Sequence, residues 1–333
     1  FEGIRQAGEF YLNGKFIGLH ENGITAIGYD ISDMLNEGEN VIAVRINNDW
    51  DYKEKSSGEK FQWNDRNFNA NYGGINKNVW LHISEKIYQT LPLYTNLGTT
   101  GVYVYASDFD IKNKSAKITA ESEVKNESET AKNITYEVTI KELNGKIIKK
   151  LNGEKFTIQP NEIKKISAYA FVKNLEFWSW GYGYLYDVVT TLKIDNKDVD
   201  SVTTRTGFRK TEFANGLFKL NDRTLHVKGY AQRTTNEWAA LGNTAPAWLS
   251  DFSNRLMVES NANLVRWMHT TPAKQDIESC DRVGLMQAMP AGDAEKDVEG
   301  RRWVQRTEVM RDAVIYNRNN PSIIFYESGN ESI

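Results

Sequence analysis

A change of hydrophobic rhythm near residue 213 restricts the fold more than any other feature of this chain. Upstream, apolar residues alternate with polar ones in short runs cut by turn residues; downstream, short apolar runs are separated by stretches long enough for helices. A period of two marks a strand with one buried face, whereas a stripe near 3.6 marks an amphipathic helix. Strand after strand followed by strand alternating with helix predicts β-domains leading into an α/β unit. At 333 residues the chain also exceeds what one ordinary core supports, so two or three domains are expected.

Within the first 90 residues, Asn13-Gly14 separates two apolar runs, 9–12 and 15–18. Both turn residues tolerate positive φ, which is the strongest short-range signal for a hairpin. Residues 40–46 and 78–83 alternate as further strands, so residues 1–90 read as a β-sandwich. Runs at 116–124, 134–143, 164–172 and 187–194 recur with turn residues between them, the pattern of an immunoglobulin-like sandwich over residues 91–212. Between them lies Phe177-Trp178-Ser179-Trp180-Gly181-Tyr182-Gly183-Tyr184-Leu185-Tyr186. Such a run either packs between domains, the favoured reading, or offers a platform on which sugar rings stack.

Residues 213–333 contain candidate strands at 224–230, 263–268, 284–289 and 322–327. Trp248, Leu249, Phe252 and Leu256 mark one helical stripe, and Trp303, Met310 and Val314 another. Parallel strands joined by helices make either a doubly wound sheet or a (β/α)8 barrel, and four strands do not decide between them. No glycine-rich phosphate loop follows any of the strands, which argues against nucleotide binding.

Composition narrows the function classes. A net charge of −3 with scattered cations gives no basic stripe for nucleic acid, and no apolar run reaches the length of a membrane-spanning helix. The lone Cys280 and the absence of a Cys/His cluster suggest no metal and no cofactor. In parallel α/β sheets the reacting groups sit at the C-terminal strand ends. Those ends carry Tyr230, Gln232 and Arg233; Arg266, Trp267 and His269; Asp293; and Glu327, Asn330 and Glu331. Arg266 lies inside the apolar run Leu264-Val265-Arg266-Trp267-Met268 and implies a buried acidic partner, which a part of the protein outside this chain could supply. Glu331 follows Ser328-Gly329-Asn330 directly after a strand, where a rigid sheet could hold a carboxyl in a cleft, although an N-cap or ion-pair role is as common there.

Several ordered motifs resemble glycoside hydrolase family 2. Phe10-Tyr11-Leu12-Asn13-Gly14-Lys15, Gly38 to Arg45 and Tyr72-Gly73-Gly74-Ile75 with Val79-Trp80-Leu81 are similar to its jelly-roll domain; Gly207-Phe208-Arg209-Lys210 is similar to its sandwich-to-barrel junction. Asn263 to Arg266 with His269 and Pro272, and Asn317 to Ile324 ending in Gly329-Asn330-Glu331, resemble its second-strand and acid/base motifs. The resemblance implies a jelly-roll sandwich, an immunoglobulin-like sandwich and the first half of a catalytic (β/α)8 TIM barrel. It also implies a retaining, exo-acting, β-galactosidase-like enzyme for oligo- or polysaccharides. In that reading Glu331 is the acid/base, Asn330 contacts the sugar hydroxyl beside the anomeric carbon, Arg266 supports the nucleophile and His269 lines the sugar site. The nucleophile would lie on a later strand, so the chain as given is expected to be inactive. The sequence departs from better-known members at Gly229 to Thr234 and at Ala288 to Asp293. Galactose specificity is therefore not carried over; Arg233 becomes a candidate for reading an unusual or charged glycan, and Asp293 a candidate substrate-binding residue. The alternative is a non-catalytic carbohydrate-binding protein with the same fold. A homo-oligomer is compatible with the sequence, and the family resemblance favours a periplasmic or secreted location.

Overall fold

A computed structural model describes residues 1–59, 73–233, 241, 245–290 and 297–330. Strands β1 (Ala7–Leu12) and β2 (Lys15–His20) form the expected hairpin, with Leu12 opposite Lys15. Its two turn residues, Asn13 at φ 50° and Gly14 at φ 78°, hold the left-handed conformation that suits a tight hairpin turn. Strand β3 (Ile42–Asn47) pairs antiparallel with the other edge of β1. Ile4, Phe10 and Ile27 fill the core beneath this sheet. Residues 78–83, expected as a strand, form none. Val79, Trp80, Leu81 and Ile83 are exposed there. Alternation makes a strand only when another edge completes its hydrogen-bond ladder, and no described strand does so here.

Next come β4 (Ile87–Gln89), the single-turn helix α1 (Tyr94–Leu97), β5 (Val102–Asp110), β6 (Ser115–Asn126), β7 (Lys132–Glu142), β8 (Ile147–Ile158), β9 (Ile163–Val172), β10 (Tyr186–Ile194) and β11 (Lys197–Thr206). They build two antiparallel sheets, one with β4, β5 and β9 around β6, the other in the order β11-β10-β7-β8. Inward residues of both sheets, among them Ile118, Val138, Ile140, Val188 and Leu192, share one core. This is sandwich packing, as the alternation of the sequence requires.

A small meander of β12 (Thr211–Ala214), β13 (Leu217–Leu220) and β14 (Arg223–Thr224) then leads into alternating elements. These are β15 (Gly229–Arg233), α2 (Ala247–Glu259), β16 (Leu264–Met268), α3 (Lys274–Val283), β17 (Met286–Pro290), α4 (Gly300–Asn317) and β18 (Ile323–Glu327). The strands form one parallel sheet in sequence order, β15-β16-β17-β18. The run expected as a single strand at 224–230 is split, because Thr224 pairs with Lys219 in the meander and the parallel ladder begins only at Gly229.

The helices bury other faces than their apolar stripes suggest. On α2, Trp248, Phe252 and Leu256 are exposed, while Leu249, Ser250 and Asn254 are buried. Ser250 and Asn254 hydrogen-bond Asp276 (2.6 Å) and Ser279 (3.0 Å) on α3. Paired polar groups can therefore occupy a buried helix face, which a hydrophobicity pattern alone does not reveal. On α4 the buried apolar residues are Val309 and Ala313, and Trp303 is exposed.

The aromatic run 177–186 packs between the sandwich and the α/β part. Trp178 is fully buried and its indole N–H donates to the Asp281 carbonyl at 2.8 Å, and the Trp180 N–H donates to the Ala262 carbonyl at 3.1 Å. Gly183 lies so close to α3 that a Cβ there would stand 2.2 Å from the Arg282 carbonyl oxygen. Only glycine permits this approach.

Candidate active site

Strand alternation sorts the side chains of the parallel sheet. Val265 and Trp267 of β16 face the helices and pack with Cys280 and Leu285, which leaves Arg266 on the opposite face. Its guanidinium Nε donates to both carboxylate oxygens of Glu327, at 2.8 and 3.0 Å, and its Nη2 donates to Asn330 Oδ1 at 3.0 Å. Arg266 and Glu327 are two strands apart, and Ala288, opposite Arg266 on β17, adds only a methyl group between them. Glu327, at the end of β18, thus supplies Arg266 with an acidic partner from within the chain. A charge-assisted contact of this kind fixes both groups at once and, being only partly exposed, is screened less than a surface pair.

His269 follows β16 directly and is buried, with a cis peptide bond joining it to Met268. Nearby, Thr271 Oγ1 donates to the Pro290 carbonyl at 2.9 Å, tying the ends of β16 and β17 together. The structure therefore brings Arg266, Glu327 and Asn330 into one hydrogen-bonded group and places His269 at an adjoining strand end. The Arg233 side chain, Asp293 and Glu331 lie outside the described residues. Among the described residues, no group of three or more His, Cys, Asp or Glu side chains is arranged to hold a metal ion.

The stretch Asn317 to Ser322, which the sequence marks as a motif, contains no residue of that cluster. It anchors the start of β18. Asn320 Nδ2 donates to Asp281 Oδ2 at 2.6 Å, while Ser322 N and Oγ donate to Asp281 Oδ1 at 3.0 and 2.5 Å. Lys274 Nζ donates to Asn320 Oδ1 at 2.9 Å and to Asn317 Oδ1 at 3.2 Å. Arg209 donates through Nε to the Pro321 carbonyl and through Nη2 to the Ile323 carbonyl at 2.5 Å. Burial lowers the Arg209 pKa to about 10 and pushes the Asp281 carboxyl up to about 6 despite its hydrogen bonds. Behind the sheet, Trp267 Nε1 donates to Gln287 Oε1 (2.8 Å), and Gln287 Nε2 donates to Ser322 Oγ (2.6 Å). Asp281 and Gln287 were not singled out from the sequence. The signal available for Gln287 is a polar residue inside the apolar run Leu285-Met286-Gln287-Ala288-Met289.

Comparison with known proteins gives this arrangement a family. The glycosyl hydrolases family 2 pattern matches residues 102–209, the heart of the second sandwich. A β-glucuronidase of Formosa agariphila is 35% identical over 99% of this chain and 33% of its own length. A β-galactosidase of Bacteroides ovatus is 26% identical over 99% of the chain and 37% of its own. Among solved structures, a β-glucuronidase from glycoside hydrolase family 2 superposes with a TM-score of 0.91 at 36% identity, over 99% of this chain and 34% of that one. A putative β-galactosidase from Bacteroides fragilis gives 0.84 at 26% identity, over 100% and 47%. The fold is thus shared with structures of glycoside hydrolase family 2. This chain belongs to glycoside hydrolase family 2, and it spans about a third of the length of these curated relatives.

Proposed function

We propose that the ends of β16 to β18 form the acid/base side of a retaining, exo-acting β-glycosidase site. In this reading β15 to β18 are the first four strands of a (β/α)8 barrel, preceded by a jelly-roll sandwich at 1–90 and an immunoglobulin-like sandwich at 91–212. The observation that carries it is the Arg266 fork, which holds Glu327 and Asn330 together at the C-terminal strand ends. Asn330, whose carbonyl oxygen accepts from Arg266, directly precedes Glu331, and by family resemblance it contacts the sugar hydroxyl beside the anomeric carbon.

Glu331 then protonates the glycosidic oxygen as the bond to the anomeric carbon breaks, and later takes a proton from the water that attacks the same carbon. The second carboxylate, by family resemblance a glutamate on a later barrel strand, forms the covalent glycosyl-enzyme roughly 5 to 5.5 Å away. Arg266 keeps a fixed positive charge near both carboxylates and supports the nucleophile. His269, Arg233 and Asp293 line the sugar. Glu327 acts through Arg266 rather than on the sugar. Of the two sugars named for relatives, a β-glucuronide is favoured over a β-galactoside, because the relatives at 35% and 36% identity are described as β-glucuronidases.

The test is Glu331→Gln in the enzyme that carries this chain, assayed on paired glucuronides and galactosides with good and poor leaving groups. Hydrolysis of alkyl β-glycosides should collapse while activated aryl substrates retain measurable turnover, since only the former need a proton donor. Equal losses on both substrates would remove Glu331 from the acid role.

A further inference from the structure

Among the described residues, strand β5 of the second sandwich pairs with β6 along one edge, and its other edge faces the loop that precedes β18. There Asn319 behaves as a short piece of strand. Its Oδ1 accepts from the Val104 backbone N–H at 2.9 Å, and its Nδ2 donates to the Val102 carbonyl at 2.9 Å. A side-chain amide carries one acceptor and one donor group at the spacing of a peptide bond, so asparagine can satisfy two consecutive groups of an open edge. Beside it, Arg318 Nη2 donates to the Thr100 carbonyl at 2.6 Å and the guanidinium lies 4.6 Å from the centre of the Tyr103 ring. Between Asn319 and the first residue of β18, the chain is fixed by Asn320, Pro321 and Ser322. Glu327 lies eight positions after Asn319, and the last five of those positions, Ile323–Glu327, form a regular strand.

We infer that Asn319 is a positioning residue: by docking the loop onto β5, it sets the place along the sheet at which β18 presents Glu327 to Arg266 and delivers Asn330. The second sandwich is then a reference frame for the strand-end cluster rather than a passive neighbour. The kinetic part of this inference rests on the hydrolase reading above; the structural part does not.

The experiment compares the parent enzyme with Asn319→Ala and Asn319→Asp. It measures hydrogen exchange of residues 318–330, melting temperature, and kcat and KM on an aryl β-glycoside. In Asn319→Ala, exchange should rise about ten-fold within 318–330 and at the Val104 amide, which loses its acceptor, and stay unchanged in the other sandwich strands, as expected for two lost hydrogen bonds. Turnover should fall about 10- to 100-fold with KM within a factor of about two, because a small misplacement of reacting groups costs rate before it costs binding. Asn319→Asp keeps the acceptor for Val104 and loses the donor for Val102, so it should fall between the two. It carries the same comparison if the alanine variant does not fold. A lowered melting temperature with parental kcat and parental exchange in 318–330 would overturn the inference, leaving Asn319 a stabilising contact only. Should the parent hydrolyse no aryl glycoside, the hydrolase reading fails while the exchange measurement still decides the anchoring.

Discussion

Asp281→Asn should make this protein more stable relative to the parent as pH rises from 4 to 7. The Asp281 carboxyl is buried, and burial pushes its pKa from 3.8 up to about 6 against the pull of hydrogen bonds from Ser322 and Asn320. Below pH 3.8 the group is protonated in both folded and unfolded chains and contributes no difference. Between 3.8 and 6 the unfolded chain ionises first, so the folded parent loses stability as pH rises, and above 6 the loss is complete. At about 1.4 kcal/mol per ten-fold change in proton affinity, the ionised carboxylate costs the folded state about 3 kcal/mol. Asparagine resembles the protonated acid in shape and cannot ionise, so the difference between variant and parent should shift by that amount in the variant's favour. His20, whose burial lowers its pKa to about 4, tilts stability the opposite way over the same range, but it is present in both proteins and cancels. Urea unfolding of both proteins at pH 4, 5, 6 and 7 measures this difference. If the two pH profiles run parallel, or if the parent gains on the variant toward pH 7, then the hydrogen bonds outweigh burial and the reasoning is wrong.

Further outcomes follow from close approaches and shared contacts. Gly183→Ala places a Cβ against the Arg282 and Asp281 carbonyls, at 2.2 and 2.4 Å, where backbone has to move. It should cost about 2 kcal/mol or more in urea unfolding, and a loss within about 0.5 kcal/mol would mean that the sandwich and α3 are not interlocked there. Arg266→Lys keeps the charge but not the fork that reaches Glu327 and Asn330 together. It should lower kcat/KM on an aryl glycoside about 100-fold, and a change within about two-fold would show that the cluster does not need bidentate geometry.

How much was legible in the sequence depended on the range of the forces involved. The hairpin at Asn13-Gly14 and the long strands of the second sandwich were readable because turn chemistry and alternation act within a few residues. The change to parallel strands and helices was readable for the same reason. The strand expected at 78–83 was not realised, since a strand needs a partner edge that local pattern cannot supply. Arg266 was identified by its misfit within an apolar run, yet its partner had to be read from space: Glu327 lies 61 residues away and two strands across. The family resemblance marked Asn317 to Ser322 as part of the acid/base motif. In the structure these residues hold β18 in place through Asp281, Lys274, Arg209 and the edge of β5, contacts made by elements distant in sequence. Composition could not show such a role, because the same asparagines would equally suit a solvent-exposed turn.

Azide rescue of Glu331→Ala, in the full-length protein that carries this chain, tests most directly whether Glu331 serves as the acid/base of a retaining hydrolase. The alanine variant can still form a glycosyl-enzyme from an activated aryl β-glycoside, but it lacks the base that activates water for the second step. Azide needs no base, so adding it should restore turnover and yield a β-configured glycosyl azide, identifiable by NMR. No rescue, or an α-configured azide, would contradict the account.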